Sequence, residues 1–143
     1  MKQVMKLELD SISSNESFAR VVVAAFLTRL NPTMEEVADI KTAVSEAVTN
    51  CIVHAYENRD NGEIELVATY TQSGKLTIVI KDRGRGIENI ELARHPLYTT
   101  DKENERSGMG FSIMETFSDK LMVSSKPGKG TKITIVKQLE KRK

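Results

Sequence analysis

The sequence has few of the features that mark secreted, membrane-spanning or nucleic-acid-binding proteins. Cys51 is the single cysteine among 143 residues, so no internal disulfide can form, which fits a reducing cytoplasm. There is no signal-peptide pattern, and no apolar run approaches the ~20 residues that a membrane-spanning helix needs. Lysine and arginine number 21 against 20 aspartate and glutamate, so no basic field points to nucleic acid. We therefore expect a cytoplasmic protein that binds neither membranes nor nucleic acid.

The length suits one domain, which we expect to span residues 1–143. Hydrophobic periodicity predicts strands near 4–10, 63–71, 75–82, 120–125 and 131–138. It predicts helices near 14–30, 33–57, 89–94 and 111–118. Because the strands pair largely by hairpins, the predicted fold class is an α/β (α+β) two-layer sandwich. In it, helices cover one face of a mainly antiparallel sheet.

One face of the helix over residues 34–57 has the polar groups of a binding site. Its opposite, apolar face consists of Val37, Ile40, Val44, Ala47, Val48, Cys51 and Ala55. Glu46 and Asn50 lie one turn apart on the polar side, and His54 follows at the edge of the apolar stripe. The Asn50 amide oxygen suits Mg²⁺, and Glu46 can orient or deprotonate an attacking hydroxyl. His54 fits a polar contact or a capping role, and the whole set also fits the solvated side of an amphipathic helix.

A carboxylate stands where an apolar strand meets a glycine turn. Asp82 follows the apolar run 76–80 and precedes Gly84 and Gly86. A carboxylate only accepts hydrogen bonds, so it selects the exocyclic amine of adenine over the carbonyl of guanine. The glycines would allow backbone to come close to the ring. The same residues also fit plain turn chemistry, in which Asp82 only stabilises the turn.

Two further glycine segments flank the last helix and the last strand. The Gly-Met-Gly segment 108–110 precedes the helix over 111–118, and exposed amides at a helix start bind anions such as phosphates. Arg106 can donate charge-assisted hydrogen bonds to a terminal phosphate. The segment 128–131 is typical of a turn between two strands. Taken alone, the glycines also fit a loop, and Arg106 fits a solvated arginine.

The order and spacing of four segments resemble a known ATPase family. The segments are 46–56, 82–86, 108–110 and 128–131. They are similar to those of the Bergerat-fold ATPases, which include gyrase, Hsp90, histidine kinases and MutL. No single segment is specific, but the spaced set is, and it covers residues 35–131. The resemblance implies a Bergerat fold that binds ATP or ADP together with Mg²⁺.

The resemblance also implies roles for individual residues. It places Mg²⁺ on Asn50, adenine on Asp82 and the base role on Glu46, and we expect Arg106 to be the second catalytic residue. It implies phosphate contacts at residues 108–110. The nucleotide contacts that we expect are His54, Gly84, Gly86, Thr99, Thr100, Ser107, Gly108, Met109, Gly110 and Thr131. The segment 96–102 looks like the lid segment of the kinase members, and we expect a lid over residues 97–107 to cover the nucleotide.

Within this family the chain resembles the small serine kinases that act as anti-sigma factors. Gyrase, Hsp90 and MutL need transducer domains for which we expect no room here, and histidine kinases need an acceptor histidine on a dimerising helix. The segments 15–20, 45–50 and 105–111 closely match the anti-sigma F factors of endospore-forming bacteria, with the general-stress relatives as the alternative. The resemblance implies a homodimer that sequesters a sigma factor of the sigma F type. It also implies phosphorylation of a serine on an anti-anti-sigma protein.

We predict that the helix over 14–30 holds these partners. The face expected to dock on the core consists of Phe18, Val22, Ala25 and Phe26. The face expected to bind partners consists of Glu16, Arg20, Val23 and Leu27. A charged rim around apolar anchors is typical of helical docking surfaces. The alternative is that neighbouring loops or a dimer partner cover Val23 and Leu27.

Two other classes of function remain open at this point. One is a module that binds nucleotide only as a conformational ligand and transfers no phosphate. The other is a stand-alone ATP hydrolase. Glu46 favours phosphotransfer over pure binding, because a binder has no need of a carboxylate beside the metal ligand.

Overall fold

A computed structural model describes residues 2–94 and 110–140 of the chain. The strands are β1 Lys2–Asp10, β2 Glu63–Thr71, β3 Lys75–Asp82, β4 Lys120–Lys126 and β5 Gly130–Gln138. The helices are α1 Ser14–Phe26, α2 Met34–Asn50, α3 Ile90–Arg94 and α4 Gly110–Thr116. The two longer helices end earlier than predicted, because a 3-10 turn, Thr28–Leu30, follows α1 and a π-helical turn, Cys51–Ala55, follows α2.

The five strands form one antiparallel sheet in the order β1-β2-β3-β5-β4. Alternate residues of its central strands are fully buried: Ile64, Leu66, Ala68, Leu76, Ile78, Ile80, Ile133 and Ile135. Most residues between them, such as Val67 and Val79, are only half-buried. One face of the sheet therefore packs against the helices, and the other is uncovered by the described residues. This arrangement confirms the predicted two-layer fold.

Helix α2 is positioned by its cap and by its apolar stripe. Thr33 Oγ1 accepts a hydrogen bond from the Glu36 amide at 3.0 Å, and Glu36 Oε1 accepts one from the Thr33 amide at 2.9 Å. The predicted stripe is buried from Ile40 onward, with Val44, Ala47 and Val48 fully buried, while Val37 at its start is half-buried. Neither α2 nor any other helix within residues 2–94 and 110–140 has the length and apolar character to cross a membrane.

The predicted orientation of α1 is wrong. Val23 and Leu27, expected on the outer face, have exposed fractions of 0%, as does Ala19. Phe18, expected in the core, is 50% exposed. Ala19 is small enough for α1 to pack closely on α2 along the stripe of residues 19, 23 and 27, and Phe18 at that position would hold the two helices apart. Val23 and Leu27 are therefore core residues rather than partner contacts.

The rest of α1 follows from this rotation. Ala25 is exposed, and Phe26 is half-buried with its ring 4.9 Å from that of Tyr70 on β2. Glu16 and Arg20 stay accessible at the edge of the buried stripe, where they form an ion pair of 3.8 Å. Of the predicted partner-binding residues, these two charged ones remain available to a partner.

Candidate functional site

Asp82 is a buried carboxylate with one oxygen satisfied and one not. It ends β3 and is 5% exposed. Its Oδ1 accepts hydrogen bonds from the Gly84 amide at 3.0 Å and the Thr131 amide at 3.2 Å. Its Oδ2 is buried and has no hydrogen-bond partner among the described residues. Buried polar atoms are rarely left unsatisfied, so Oδ2 is the place where a ligand's donor fits.

The surroundings of Asp82 make its ionised form costly. Burial raises the pKa of Asp82 above its ordinary value, and the Gly84 amide, the neighbouring Cys51 thiol and the Thr131 amide lower it only in part. The Cys51 thiol is fully buried against this carboxylate, and burial followed by the charge of Asp82 raises the thiol pKa. A buried thiol with a raised pKa is unreactive, and this one faces the site. A hydrogen-bond donor brought by a ligand would stabilise the carboxylate.

The two glycines after Asp82 serve contacts within the protein. A Cβ on Gly84 would lie 2.3 Å from the Ala55 carbonyl oxygen. Gly86 has φ +77°, and a Cβ there would lie 2.1 Å from the Lys126 carbonyl oxygen. Each glycine is therefore required by a close approach within the protein, and contact of these glycines with a nucleotide ring stays a prediction.

Glu46, Asn50 and His54 lie along one end of α2 and its π-helical turn, and all three are half-buried. A Cβ on Gly110 would lie 3.4 Å from Glu46 Oε2, so the first residue of α4 lies directly beside this carboxylate. Asn50 precedes Cys51, which faces Asp82, so this end of α2 meets the Asp82 turn. π-helical turns are often found at functional sites, and this one, Cys51–Ala55, begins directly after Asn50.

Six of the predicted site residues lie outside the described residues. They are Thr99, Thr100, Arg106, Ser107, Gly108 and Met109. Thr131, in contrast, lies at the centre of the site, since its amide holds Asp82 and its hydroxyl lies 2.8 Å from that of Ser125. The segment 128–131 is thus more than a turn between two strands, because it supplies one of the amides that orient Asp82.

Sequence reasoning missed Tyr56. This residue is 6% exposed, and its hydroxyl donates a hydrogen bond to the Glu63 carbonyl and accepts one from the Arg83 amide at 2.7 Å. The available signal was a tyrosine directly after a helix end, because a buried tyrosine hydroxyl must find partners that polar backbone ends can supply.

Comparison with known proteins gives the family. Residues 13–137 match the family described as histidine kinase-like ATPase domain. The chain is 55% identical over 136 residues to the anti-sigma F factor of Caldanaerobacter subterraneus subsp. tengcongensis, covering 95% of this chain and 94% of that protein. It is 52% identical over 143 residues to the anti-sigma F factor of Geobacillus sp. strain WCH70, covering 100% of this chain and 97% of that one.

Solved structures agree on the fold. The crystal structure of the RsbU and RsbW domains of a Mycobacterium tuberculosis protein superposes with a TM-score of 0.70 at 18% identity, covering 99% of this chain and 35% of that one. The histidine kinase domain of a blue-light activated kinase from Erythrobacter litoralis gives a TM-score of 0.54 at 28% identity, with 73% and 45% covered. The chain belongs to the histidine kinase-like ATPase family and, within it, to the anti-sigma F factors.

Proposed function

We propose that this chain is an ATP-dependent protein-serine kinase and an anti-sigma factor. In this account it sequesters a sporulation sigma factor of the sigma F type and phosphorylates a serine on an anti-anti-sigma protein. The names of its relatives support sigma-factor binding, and the ATPase family supports nucleotide binding. General-stress sigma control and nucleotide-gated binding without transfer are the alternatives.

The observation that carries the nucleotide site is the unpartnered Oδ2 of Asp82. The exocyclic amine of adenine supplies the donor that this oxygen lacks. Guanine presents a carbonyl oxygen at the corresponding position, which would face the carboxylate with like partial charge. The amides of Gly84 and Thr131 hold the other oxygen, so the carboxylate is oriented before the nucleotide arrives.

The proposed chemistry assigns the other residues to the phosphates and the acceptor. Asn50 would hold Mg²⁺, which neutralises phosphate charge when bound. Glu46 would take the proton of the attacking serine hydroxyl. Arg106 would steady the γ-phosphate. The other contacts assigned to the nucleotide are His54, Thr99, Thr100, Ser107, Gly108, Met109 and Gly110, and the position of Gly110 beside Glu46 supports the meeting of base and phosphate.

Recognition of adenine by Asp82 predicts a particular pH dependence. Above its raised pKa, Asp82 is an acceptor only, and protonation at lower pH turns one oxygen into a donor that opposes the amine. We expect ATP to lose affinity as the pH falls through that pKa. Purine riboside triphosphate keeps the titrating phosphates but lacks the amine, so calorimetric titration of both gives the matched control. The affinity ratio should fall toward one on acidification, and a ratio independent of pH would contradict adenine recognition by Asp82.

The accessible end of α1 remains the proposed partner surface, now limited to Glu16 and Arg20. We expect Arg20→Glu to weaken sigma factor or antagonist binding by roughly tenfold or more, which is about 1.4 kcal/mol. Breaking the exposed pair with Glu16 should cost only about 0.3–0.5 kcal/mol of stability. Surface plasmon resonance measures partner binding, and Arg29→Glu, an exposed charge reversal in the 3-10 turn after α1, is the control. Unchanged affinity for both partners would remove this helix from the account.

The uncovered face of the sheet supports the proposed homodimer. The strand register aligns Glu8, Glu65, Lys81 and Lys132 in one row across β1, β2, β3 and β5. The row is acidic at one end and basic at the other. Two copies related by a twofold axis would bring opposite ends together and cover the half-buried Val79 in the neighbouring row.

A further inference from the structure

The Tyr56 hydroxyl takes the place of a backbone hydrogen bond at the end of the β2–β3 pairing. The antiparallel pairing of β2 and β3 ends at Ile64 and Asp82, so the next residues in register are Glu63 and Arg83. These two are linked through the hydroxyl of Tyr56. The Arg83 amide donates to the Tyr56 hydroxyl at 2.7 Å, and the hydroxyl donates to the Glu63 carbonyl. The inserted oxygen therefore separates the strands one residue after Asp82 and sets where the chain leaves the sheet.

The chain that leaves the sheet is then fastened to the same helix end. The Arg85 amide donates to the Ala55 carbonyl at 3.1 Å. Gly84 lies so close to that carbonyl that no side chain fits between them. Residues 83–85 are therefore held by Ala55 and Tyr56 at three successive positions. The Gly84 amide in the middle of this segment is the one that binds Asp82 Oδ1.

The ring of Tyr56 is itself fixed in place. A Cβ on Gly62 would lie 2.5 Å from the ring carbons, so the glycine backbone lies flat against the ring. Gly62 is held in turn by Ser11, whose amide donates to the Gly62 carbonyl at 2.9 Å and whose hydroxyl accepts from the Gly62 amide at 2.9 Å. The hydroxyl of Tyr56 thus has one position available to it.

We propose that Tyr56 is a positioning residue of the nucleotide site, acting through Arg83 and Gly84 on the Asp82 carboxylate. This inference rests on the proposed recognition of adenine by Asp82. Without the hydroxyl, Glu63 and Arg83 can pair directly, because each then needs the other. Such pairing extends the hydrogen bonding between β2 and β3 by one residue pair and draws the segment 83–85 away from Ala55. The carboxylate would then point its free oxygen away from the adenine amine.

The test is Tyr56→Phe, which removes the hydroxyl and keeps the ring. Tyr70→Phe, a buried tyrosine at the other end of β2, is the matched control. Calorimetric titration compares ATP with purine riboside triphosphate, which lacks the amine. We expect Tyr56→Phe to lose roughly tenfold in ATP affinity while the affinity for the analogue changes little. Tyr70→Phe should keep the preference for ATP.

The outcomes separate this inference from the proposed function. No preference for ATP in the wild-type chain would refute adenine recognition itself. A wild-type preference that survives in Tyr56→Phe, or equal loss of both nucleotides, would overturn the positioning role. Amide hydrogen exchange gives a second readout, in which the Arg83 and Gly84 amides should change protection while the interior of β2 and β3 stays protected. Exchange that accelerates throughout the sheet would make Tyr56 a core residue and contradict the proposal.

Discussion

Asp82→Asn should abolish tight nucleotide binding and leave the nucleotide-free protein as stable as wild type or more so. The amide oxygen of asparagine can keep the bonds from Gly84 and Thr131, but its NH₂ group would then oppose the adenine amine. Loss of a hydrogen bond to a charged group is about 1.5–3 kcal/mol, so the affinity should fall by at least roughly tenfold.

The stability half of this prediction follows from the direction of the pKa shift. The folded state raises the pKa of Asp82, so the stability that this group contributes is present below its unfolded pKa and is lost as the pH rises through its folded pKa. Above its folded pKa, ionised Asp82 therefore leaves the nucleotide-free fold less stable than protonated Asp82 does. Removing the charge should raise the free energy of unfolding or leave it unchanged.

Thermal unfolding and ATP titration of the same samples check both halves. Asp60→Asn, an exposed aspartate in the turn before β2, makes the same chemical change away from the site and should alter neither quantity. ATP affinity equal to wild type in Asp82→Asn would refute the assignment of adenine. A large loss of stability would show that the carboxylate serves the fold rather than the ligand.

Glu46→Gln should keep nucleotide affinity and lose phosphotransfer by roughly 10²–10⁴-fold, the usual contribution of a general base. Glutamine retains the shape of glutamate beside Gly110 but cannot accept the serine proton. The measurement is a single-turnover rate of transfer at saturating ATP, together with the ATP dissociation constant. Glu35→Gln, an exposed glutamate in the first turn of the same helix, is the control. A normal transfer rate in Glu46→Gln would remove Glu46 from the chemistry.

The strands and the stripe of α2 could be predicted because local periodicity decides them. Alternation in residues 75–82 and the repeat around Val44, Ala47 and Val48 each match a single buried face. The orientation of α1 could not be predicted in this way, since both of its faces contain apolar residues. Val23 is buried and Phe18 is exposed, and which of the two faces α2 depends on how closely the two helices pack, which is a property of the pair.

The candidate site was predictable in its residue types and less so in its geometry. Asp82 and Thr131 are 49 residues apart, and only the pairing of β3 with β5 brings the amide of one to the carboxylate of the other. The roles of Gly84 and Tyr56 likewise depend on where the π-helical turn ends, and no local pattern in the sequence indicates that turn. Side-chain periodicity carries no information about contacts between backbone atoms of distant segments.

The central claim is that this chain transfers the γ-phosphate of ATP to a serine of an anti-anti-sigma protein. The direct test incubates the purified chain with γ-labelled ATP, Mg²⁺ and that protein, and then locates the label by mass spectrometry. A version of the substrate protein with its acceptor serine changed to alanine is the control. We predict phosphoserine at one position of the unaltered substrate and none on the control. Label recovered only as free phosphate would indicate an ATP hydrolase, and bound ATP without turnover would indicate a nucleotide-gated binding module; either result contradicts the account.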